Sequence, residues 1–258
     1  MKVFVINLEQ SHDRRVFMEK QLAALNLDAE FFPAVDGRLL PEDEIARVSD
    51  RRWFSRYVGR EMTRSDMGCS LSHIYLYRKM VDENIPCALI LEDDVWMTPS
   101  LVPLLRELER DIDQLPCDVV LLSECITSTK NIWRRGYYFM SPVVYALFTH
   151  AYVVSLRGAR RLMNNLYPVA LPADAWNWLH RHRMIRIAAI HPVLATQDQM
   201  VLASTNPGRQ VILPSRFSIP WWSRKMKRAF WRAYDHYMPL SWRRIKPAGA
   251  AARSKAHA

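Results

Sequence analysis

The sequence predicts an α/β fold in which helices flank a parallel sheet. Three observations predict it. The chain opens with a strand-helix-strand pattern, the unit from which parallel sheets are built. Residues 88–91 form a continuous apolar run bounded by a turn signal, as in a strand covered on both faces. Strand-like and helical stretches then alternate to about residue 190.

The elements follow in order. Residues 2–8 are β-branched and aromatic and read as a strand. Residues 11–25 read as a helix, with Ser11 as a candidate N-cap and Asp13 in the first turn. Residues 30–35 read as a second strand that ends in the turn dipeptide Asp36-Gly37. Residues 41–64 are polar and basic and take no assignment; their Arg, Trp and Tyr content suits an acceptor-side lid. Residues 65–82 are helical in pattern, with Leu71, Ile74, Tyr75, Tyr77 and Val81 as apolar positions. After the strand at 88–91, a helix is expected over 99–115, with Pro99 near its start and Leu101, Leu104, Leu105, Leu108 and Ile112 on one face. Residues 118–122 and 145–155 read as strands and 158–166 as a short helix. A further helix opens after Leu171-Pro172-Ala173-Asp174, and 185–190 is a late strand.

Composition narrows the function. In 258 residues, half of them hydrophobic, there is enough apolar material for a sizeable core. Seven glycines make neither GxGxxG nor GxxxxGK[ST], so a bound phosphate falls to metal, basic side chains or helix N-termini. The four cysteines form no CxxC pair and read as reduced, mostly buried thiols with no zinc site. The apolar start is too short for a secretory signal, and 142–156 is too short and too polar for a membrane span.

The net charge of +10 is unevenly spread. Residues 1–215 carry 25 Lys/Arg and 25 Asp/Glu, whereas residues 216–258 carry 11 Lys/Arg and one acid, Asp235. The expected division is a body at 1–215 and a basic, aromatic-rich segment at 216–258. Within the latter, 220–238 forms an amphipathic helix with Trp222, Met226, Ala229, Phe230, Ala233 and Tyr237 on one arc and basic residues opposite. The end, 246–258, reads as disordered.

The most informative stretch is the tip of the strand at 88–91, where Glu92, Asp93 and Asp94 follow one another. Adjacent carboxylates repel and lose solvation unless a cation offsets them. Ligands sit at the carboxyl ends of strands in such sheets. The tip therefore reads either as a divalent-metal and phosphate site or as a solvated acidic patch.

Three blocks of sequence carry a family resemblance: Val3-Phe-Val-Ile-Asn-Leu-Glu-Gln-Ser-His-Asp-Arg-Arg15; Ser65-Asp-Met-Gly-Cys-Ser-Leu-Ser-His73 leading into Leu89-Ile-Leu-Glu-Asp-Asp-Val95; and Ala151-Tyr-Val-Val-Ser-Leu-Arg-Gly-Ala-Arg-Arg-Leu162 followed by Pro172-Ala-Asp174 and Gln197. In order and spacing, over roughly residues 1–205, the chain resembles the family 25 glycosyltransferases, the bacterial lipopolysaccharide or lipooligosaccharide sugar transferases of β-1,4-galactosyltransferase type. The resemblance implies a GT-A fold, a Rossmann-like sheet with one nucleotide-sugar site. It also implies inverting, metal-dependent transfer of a hexose, often galactose, from a UDP-sugar to a glycan hydroxyl.

The resemblance also assigns residues. Glu92-Asp93-Asp94 stands in the place of the family's DxD-type motif, with Asp94 first and Glu92 next toward Mn²⁺ or Mg²⁺, and Glu92 or Asp93 toward the ribose or a metal-bound water. Asp174 matches the Pro-x-Asp of the general base; alternatively it is an N-cap. Arg14 or Arg15 pairs with the diphosphate, the other being a solvated helix residue. Asn7 hydrogen-bonds the nucleoside or simply serves the turn. His73 orients the donor or a carboxylate, or is a structural histidine, and Gln197 faces a sugar. His180 and His182, two apart, do not share a helix face and form no metal pair.

The basic segment reads as an anchor on an anionic membrane surface, in keeping with a lipid-linked glycan acceptor. Docking of that helix on the body is the alternative, and no specific nucleic acid is expected. The implied location is the cytoplasm, peripheral at the inner face of the bacterial inner membrane. Competing readings are a UDP-glucose or UDP-N-acetylglucosamine transferase on another glycan, and a non-catalytic membrane- or nucleic-acid-binding protein on a transferase-like body. Nothing in the sequence sets an oligomeric state.

Overall fold

The computed structural model describes residues 1–197 and the backbone of Arg243–Arg244. The expected amphipathic helix at 220–238, the chain's end and the boundary at 215 lie outside the described residues.

The body is a mixed sheet with helices on both faces. β1 (Lys2–Asn7), α1 (His12–Leu25) and β2 (Glu30–Pro33) form the expected opening unit, and β1 pairs in parallel with both β2 and β3 (Cys87–Glu92). α2 (Glu42–Val48), α3 (Arg51–Val58) and α4 (Arg64–Asp82) lie between β2 and β3. Then come β4 (Val95–Met97), α5 (Leu101–Asp111) with a 3-10 turn at Ile112–Gln114, β5 (Val119–Leu121), β6 (Cys125–Thr127), β7 (Trp133–Arg135) and β8 (Tyr138–Ala146). β9 (Ala151–Ser155), α6 (Leu156–Leu166), α7 (Trp176–Arg181), β10 (Ile187–His191) and β11 (Ala195–Gln197) complete the continuous part, and β12 is Arg243–Arg244.

Strand order is β12-β6-β8-β10-β5-β9-β3-β1-β2, with β7 on β8 and a separate ribbon of β4 and β11. The parallel pairs are β1–β2, β1–β3 and β5–β10. β9 runs antiparallel between β3 and β5, and β6, β7, β8 and β12 pair antiparallel. The sheet is thus Rossmann-like, as the sequence predicts, with parallel strands at β1–β3 and again at β5–β10, and it is mixed because β9 runs antiparallel between them and β6, β7, β8 and β12 add antiparallel strands. The run at 145–155 is two strands, broken at Leu147–His150.

The continuous apolar runs of β1 and β3 are explained by burial on both faces. Phe4, Ile6, Ala88 and Ile90 join one core with Leu71, Tyr77 and Trp176; Val3, Val5, Leu89 and Leu91 join another with Met18, Leu104 and Leu108. Side chains alternate faces along a strand, so both faces must be apolar. α5 places Leu101, Leu104, Leu105 and Leu108 on its buried side, as its spacing predicts. Ser11 is the N-cap residue of α1 but makes no side-chain capping bond. The unassigned stretch at 41–64 holds α2 and α3, which bury Ile45, Val48 and Phe54. No disulfide joins the four cysteines, of which Cys87, Cys117 and Cys125 are buried and Cys69 is exposed. Among the described residues, no helix is long and apolar enough to cross a membrane.

Candidate active site

Central placement of β3 between β1 and β9 carries Glu92 to the carboxyl edge of the sheet, and the chain turns through Asp93 and Asp94 into β4. The three acids are held by different partners. Asp93 accepts from Asn7 Nδ2 at 2.8 Å and from Arg14 Nη1 at 2.6 Å. Asp94 Oδ2 accepts from Gln197 Nε2 at 2.9 Å, with Arg14 Nη1 at 3.4 Å. Glu92 Oε1 accepts from the Thr149 hydroxyl and faces His73 Nε2 at 3.4 Å. Asn7 reaches the tip because β1 ends beside β3, with Ile6 opposite Glu92. Gln197 reaches it because β11 pairs with β4, Gln197 opposite Val95.

These environments separate the acids electrostatically. Burial alone would raise the Glu92 carboxyl, but the His73 hydrogen bond and charge, followed by Thr149, hold it below its ordinary value. Asp94 goes the other way, to about 6: burial dominates, the charge of Glu92 adds to it, and Gln197 and Arg14 only partly offset the two. Asp94 Oδ1 is also buried and has no hydrogen-bond partner among the described residues. A buried carboxylate oxygen left without a donor is costly. Hard oxygen donors at one strand tip, one of them unsatisfied, fit a divalent cation.

Behind the tip lies a polar relay that the sequence did not reveal. His73 Nδ1 meets the Tyr152 hydroxyl at 2.8 Å, and Tyr152 meets the Tyr77 hydroxyl at 2.6 Å, all three residues being buried. This fixes the imidazole ring so that Nε2 faces Glu92. Cys69 joins the same place: its sulfur, a His73 ring nitrogen and a Glu92 oxygen lie within 4.8 Å of one another. Setting the cysteines aside as ligands for want of a CxxC pair missed this, although the i, i+4 spacing of Cys69 and His73 on α4 was the available signal.

The structure parts the two arginines. Arg14 turns to the acids, whereas Arg15 pairs with Glu19 at 3.0 Å and lies over the Phe31 ring at 4.3 Å, half exposed. Asp174 sits in the loop before α7, half-buried, two residues ahead of the first helical residue. Its charge is felt by Tyr57 and Arg60 at the end of α3. The loop connects to the tip through Trp176, whose ring packs edge-on to Tyr152 at 5.4 Å and whose Nε1 donates to the Phe148 carbonyl at 2.8 Å. Beside it, Trp53, Tyr57 and Trp178 form an aromatic cluster, with His182 stacked on Trp178 at 4.3 Å.

Comparison with known proteins places this arrangement. The model of glycosyltransferase family 25 (LPS biosynthesis protein) matches residues 1–176. A glycosyltransferase 25 family member from Aedes aegypti is 32% identical over 62% of this chain and 27% of its own length. Procollagen galactosyltransferase 1-B of Xenopus laevis is 30% identical over 63% of this chain and 28% of its own. A bovine relative described as a probable inactive glycosyltransferase 25 family member 3 is 29% identical over 63% of this chain and 28% of its own. The chain thus spans a little over a quarter of the length of these relatives. With the acidic tip, the histidine behind it and the sheet order all inside or beside the matched region, the chain belongs to glycosyltransferase family 25.

Proposed function

We propose that this protein is an inverting glycosyltransferase that moves galactose from UDP-galactose to a hydroxyl of a lipid-linked glycan. The observation that carries the reading is the unsatisfied Oδ1 of buried Asp94 within the cluster of three carboxylates at the strand tip. Asp94 and Glu92 would hold Mn²⁺ or Mg²⁺, and such an ion supplies positive charge against a diphosphate leaving group. Asn7 and Arg14 hold Asp93 in place, leaving its carboxylate aligned for the ribose. Gln197 orients Asp94 from the other side.

Asp174 removes the proton of the acceptor hydroxyl as that oxygen attacks the anomeric carbon. Arg60 lies close enough to feel its charge. The cluster of Trp53, Tyr57 and Trp178 offers the apolar face of a sugar ring a stacking surface beside that base. Galactose is favoured by the names of the procollagen galactosyltransferases among the relatives. A lipopolysaccharide-type acceptor is favoured by the family description and by the basic, aromatic segment at 216–258, which would hold the enzyme on the inner face of the inner membrane. The relatives named for procollagen favour a second reading, in which the acceptor hydroxyl is on a protein.

The test is a transfer assay with full-length protein, Mn²⁺, a panel of UDP-sugars, and lipooligosaccharide and collagen-peptide acceptors. UDP-galactose turnover onto the lipid-linked glycan is expected, abolished by Asp94→Ala. Asp174→Asn should lower kcat by about 10²–10⁴-fold, the usual share of a general base. Absence of turnover together with absence of metal-dependent UDP binding would overturn the reading.

A further inference from the structure

We propose that the arginine cluster at the sheet edge opposite the acidic tip is a second, non-catalytic binding site for a phosphate-class oxyanion. Asp118 stands just before β5, Ser155 closes β9 and Arg186 stands just before β10, and the pairing of Val119 with Val154 and with Ile187 brings them side by side. Cys87, not Glu92, is the end of β3 that lies opposite Ser155. The six residues of β3 separate the two edges by roughly 17 Å. The cluster is therefore distinct from the tip.

Arg157 and Arg161, one turn apart on α6, join Arg183, Arg186, His180 and Ile185 around a cavity of about 500 Å³. Asp118, its side chain fully buried, binds Arg157 Nε at 2.7 Å, Arg161 Nη1 at 2.7 Å and the backbone N–H of Arg186 at 2.8 Å. Both of its oxygens are thus used in gathering cations. Arg183 makes no ion pair among the described residues. Three guanidinium groups meet one carboxylate and a fourth, that of Arg183, lines the same cavity, a surplus of three positive charges around it.

Simple ion pairing does not need this surplus. Like charges drawn together repel, and an anion in the cavity removes the penalty. The side chains of Arg157, Arg161 and Arg186 remain 42%, 43% and 52% exposed, so donors are left over for a ligand. Guanidinium forks match the oxygens of a phosphate group in pairs. Two further features belong to residues that line the cavity. His180 Nδ1 is buried with no hydrogen-bond partner among the described residues. Arg183 has a φ of +57°, a conformation in which asparagine or glycine would sit at less cost. The N-terminus of α6, capped by Ser155, adds the positive end of its dipole.

The shared chemistry is a phosphate ester or diphosphate, which either a soluble compound or a lipid headgroup would present. The experiment uses full-length protein in EDTA, which silences metal-dependent binding at the tip. Pyrophosphate is titrated calorimetrically against NaCl of equal ionic strength, and vesicles of phosphatidylcholine with and without phosphatidic acid are sedimented with the protein. The variant is Arg183→Gln/Arg186→Gln, which spares the close bonds of Arg157, Arg161 and the Arg186 N–H to Asp118. Arg183→Gln alone serves if the pair does not fold. We expect binding weakened about tenfold or more, as for loss of charge-assisted hydrogen bonds, with kcat for sugar transfer unchanged. Weakening confined to pyrophosphate assigns a soluble phosphate compound, and weakening confined to phosphatidic acid vesicles assigns a lipid headgroup. Equal binding of both probes by wild type and variant overturns the proposal, because the basic segment at 216–258 is identical in the two proteins.

Discussion

At the scale of single residues, the site depends on one close approach. A Cβ on Gly68 would fall on the backbone of Val35 and Gly37, and a Cβ on Gly37 would fall on the backbone of Arg64 and Gly68. The two glycines let α4 lie directly on the loop after β2. Ser72 locks the contact, its Oγ accepting from Val35 N at 2.8 Å and donating to Gly68 O at 2.7 Å. His73 and Cys69 ride on the same helix, so this contact sets where they meet Glu92. Gly68→Ala should therefore destabilise the fold by about 1–3 kcal/mol, the usual cost of overpacking against atoms that cannot yield. Urea denaturation checks it, and a midpoint equal to wild type would show that the loop moves aside freely. The acids were legible from the sequence because a charged run at the end of an apolar strand is a local signal. Their partners were not: Asn7 and Gln197 lie 86 and 103 positions from the acids they hold, and only strand pairing joins them.

Among the elements, α4 is the best specified. Thr63 Oγ1 accepts from Asp66 N at 3.1 Å while Asp66 Oδ2 accepts from Thr63 N at 2.9 Å, a reciprocal capping box. Arg60 grips both oxygens of Asp66, with Nη2 at 2.8 Å from Oδ1, and both side chains are nearly buried. Thr63→Ala should cost about 1 kcal/mol, the value of one cap. Asp66→Ala should cost about 3 kcal/mol or more, because it strands a buried guanidinium as well as the cap donor. Thermal or urea unfolding of the two variants checks the ranking; equal losses would mean that Arg60 finds water instead. This cap was readable in Thr63-Arg-Ser-Asp66, although the periodic pattern placed the helix start one residue later. α2 and α3 were not readable, since at seven and eight residues with many charges they owe their helicity to burying Ile45, Val48 and Phe54. β4, β6, β7 and β11 have three residues each, too few for a period-2 pattern to show. The break at Leu147–His150 was hidden for the opposite reason, an apolar stretch on both sides of it.

At the scale of the whole molecule, charge among the described residues is organised by the two edges of the sheet, and the resemblance of the sequence blocks assigned a role to only one of them. The carboxyl edge gathers acids around Asp94; the opposite edge gathers arginines around Asp118. The second grouping escaped sequence reading because Arg157, Arg161, Arg183 and Arg186 look like solvated helix and loop residues until β5, β9 and β10 bring their ends together. Asp118 and Asp66 then tie the stability of the fold to acid pH. Burial alone would raise both carboxyls, yet each lies below its ordinary value: the Arg186 N–H, Arg157 and Arg161 outweigh burial at Asp118, and Arg60 and Thr63 outweigh it at Asp66. A carboxyl depressed in the folded state binds fewer protons there than in the unfolded chain, so stability rises with pH across that window. The contribution is complete above the unfolded carboxyl value of about 3.9 and disappears as pH falls through the lower folded values. Urea midpoints measured across acid pH should therefore fall steeply below about pH 4. Asp118→Asn should start from a lower stability at neutral pH and show a shallower acid limb, because the unfolded chain no longer gains that proton. An acid limb as steep in Asp118→Asn as in wild type would show that other carboxylates govern acid unfolding and that the arginine cluster holds together without this charge.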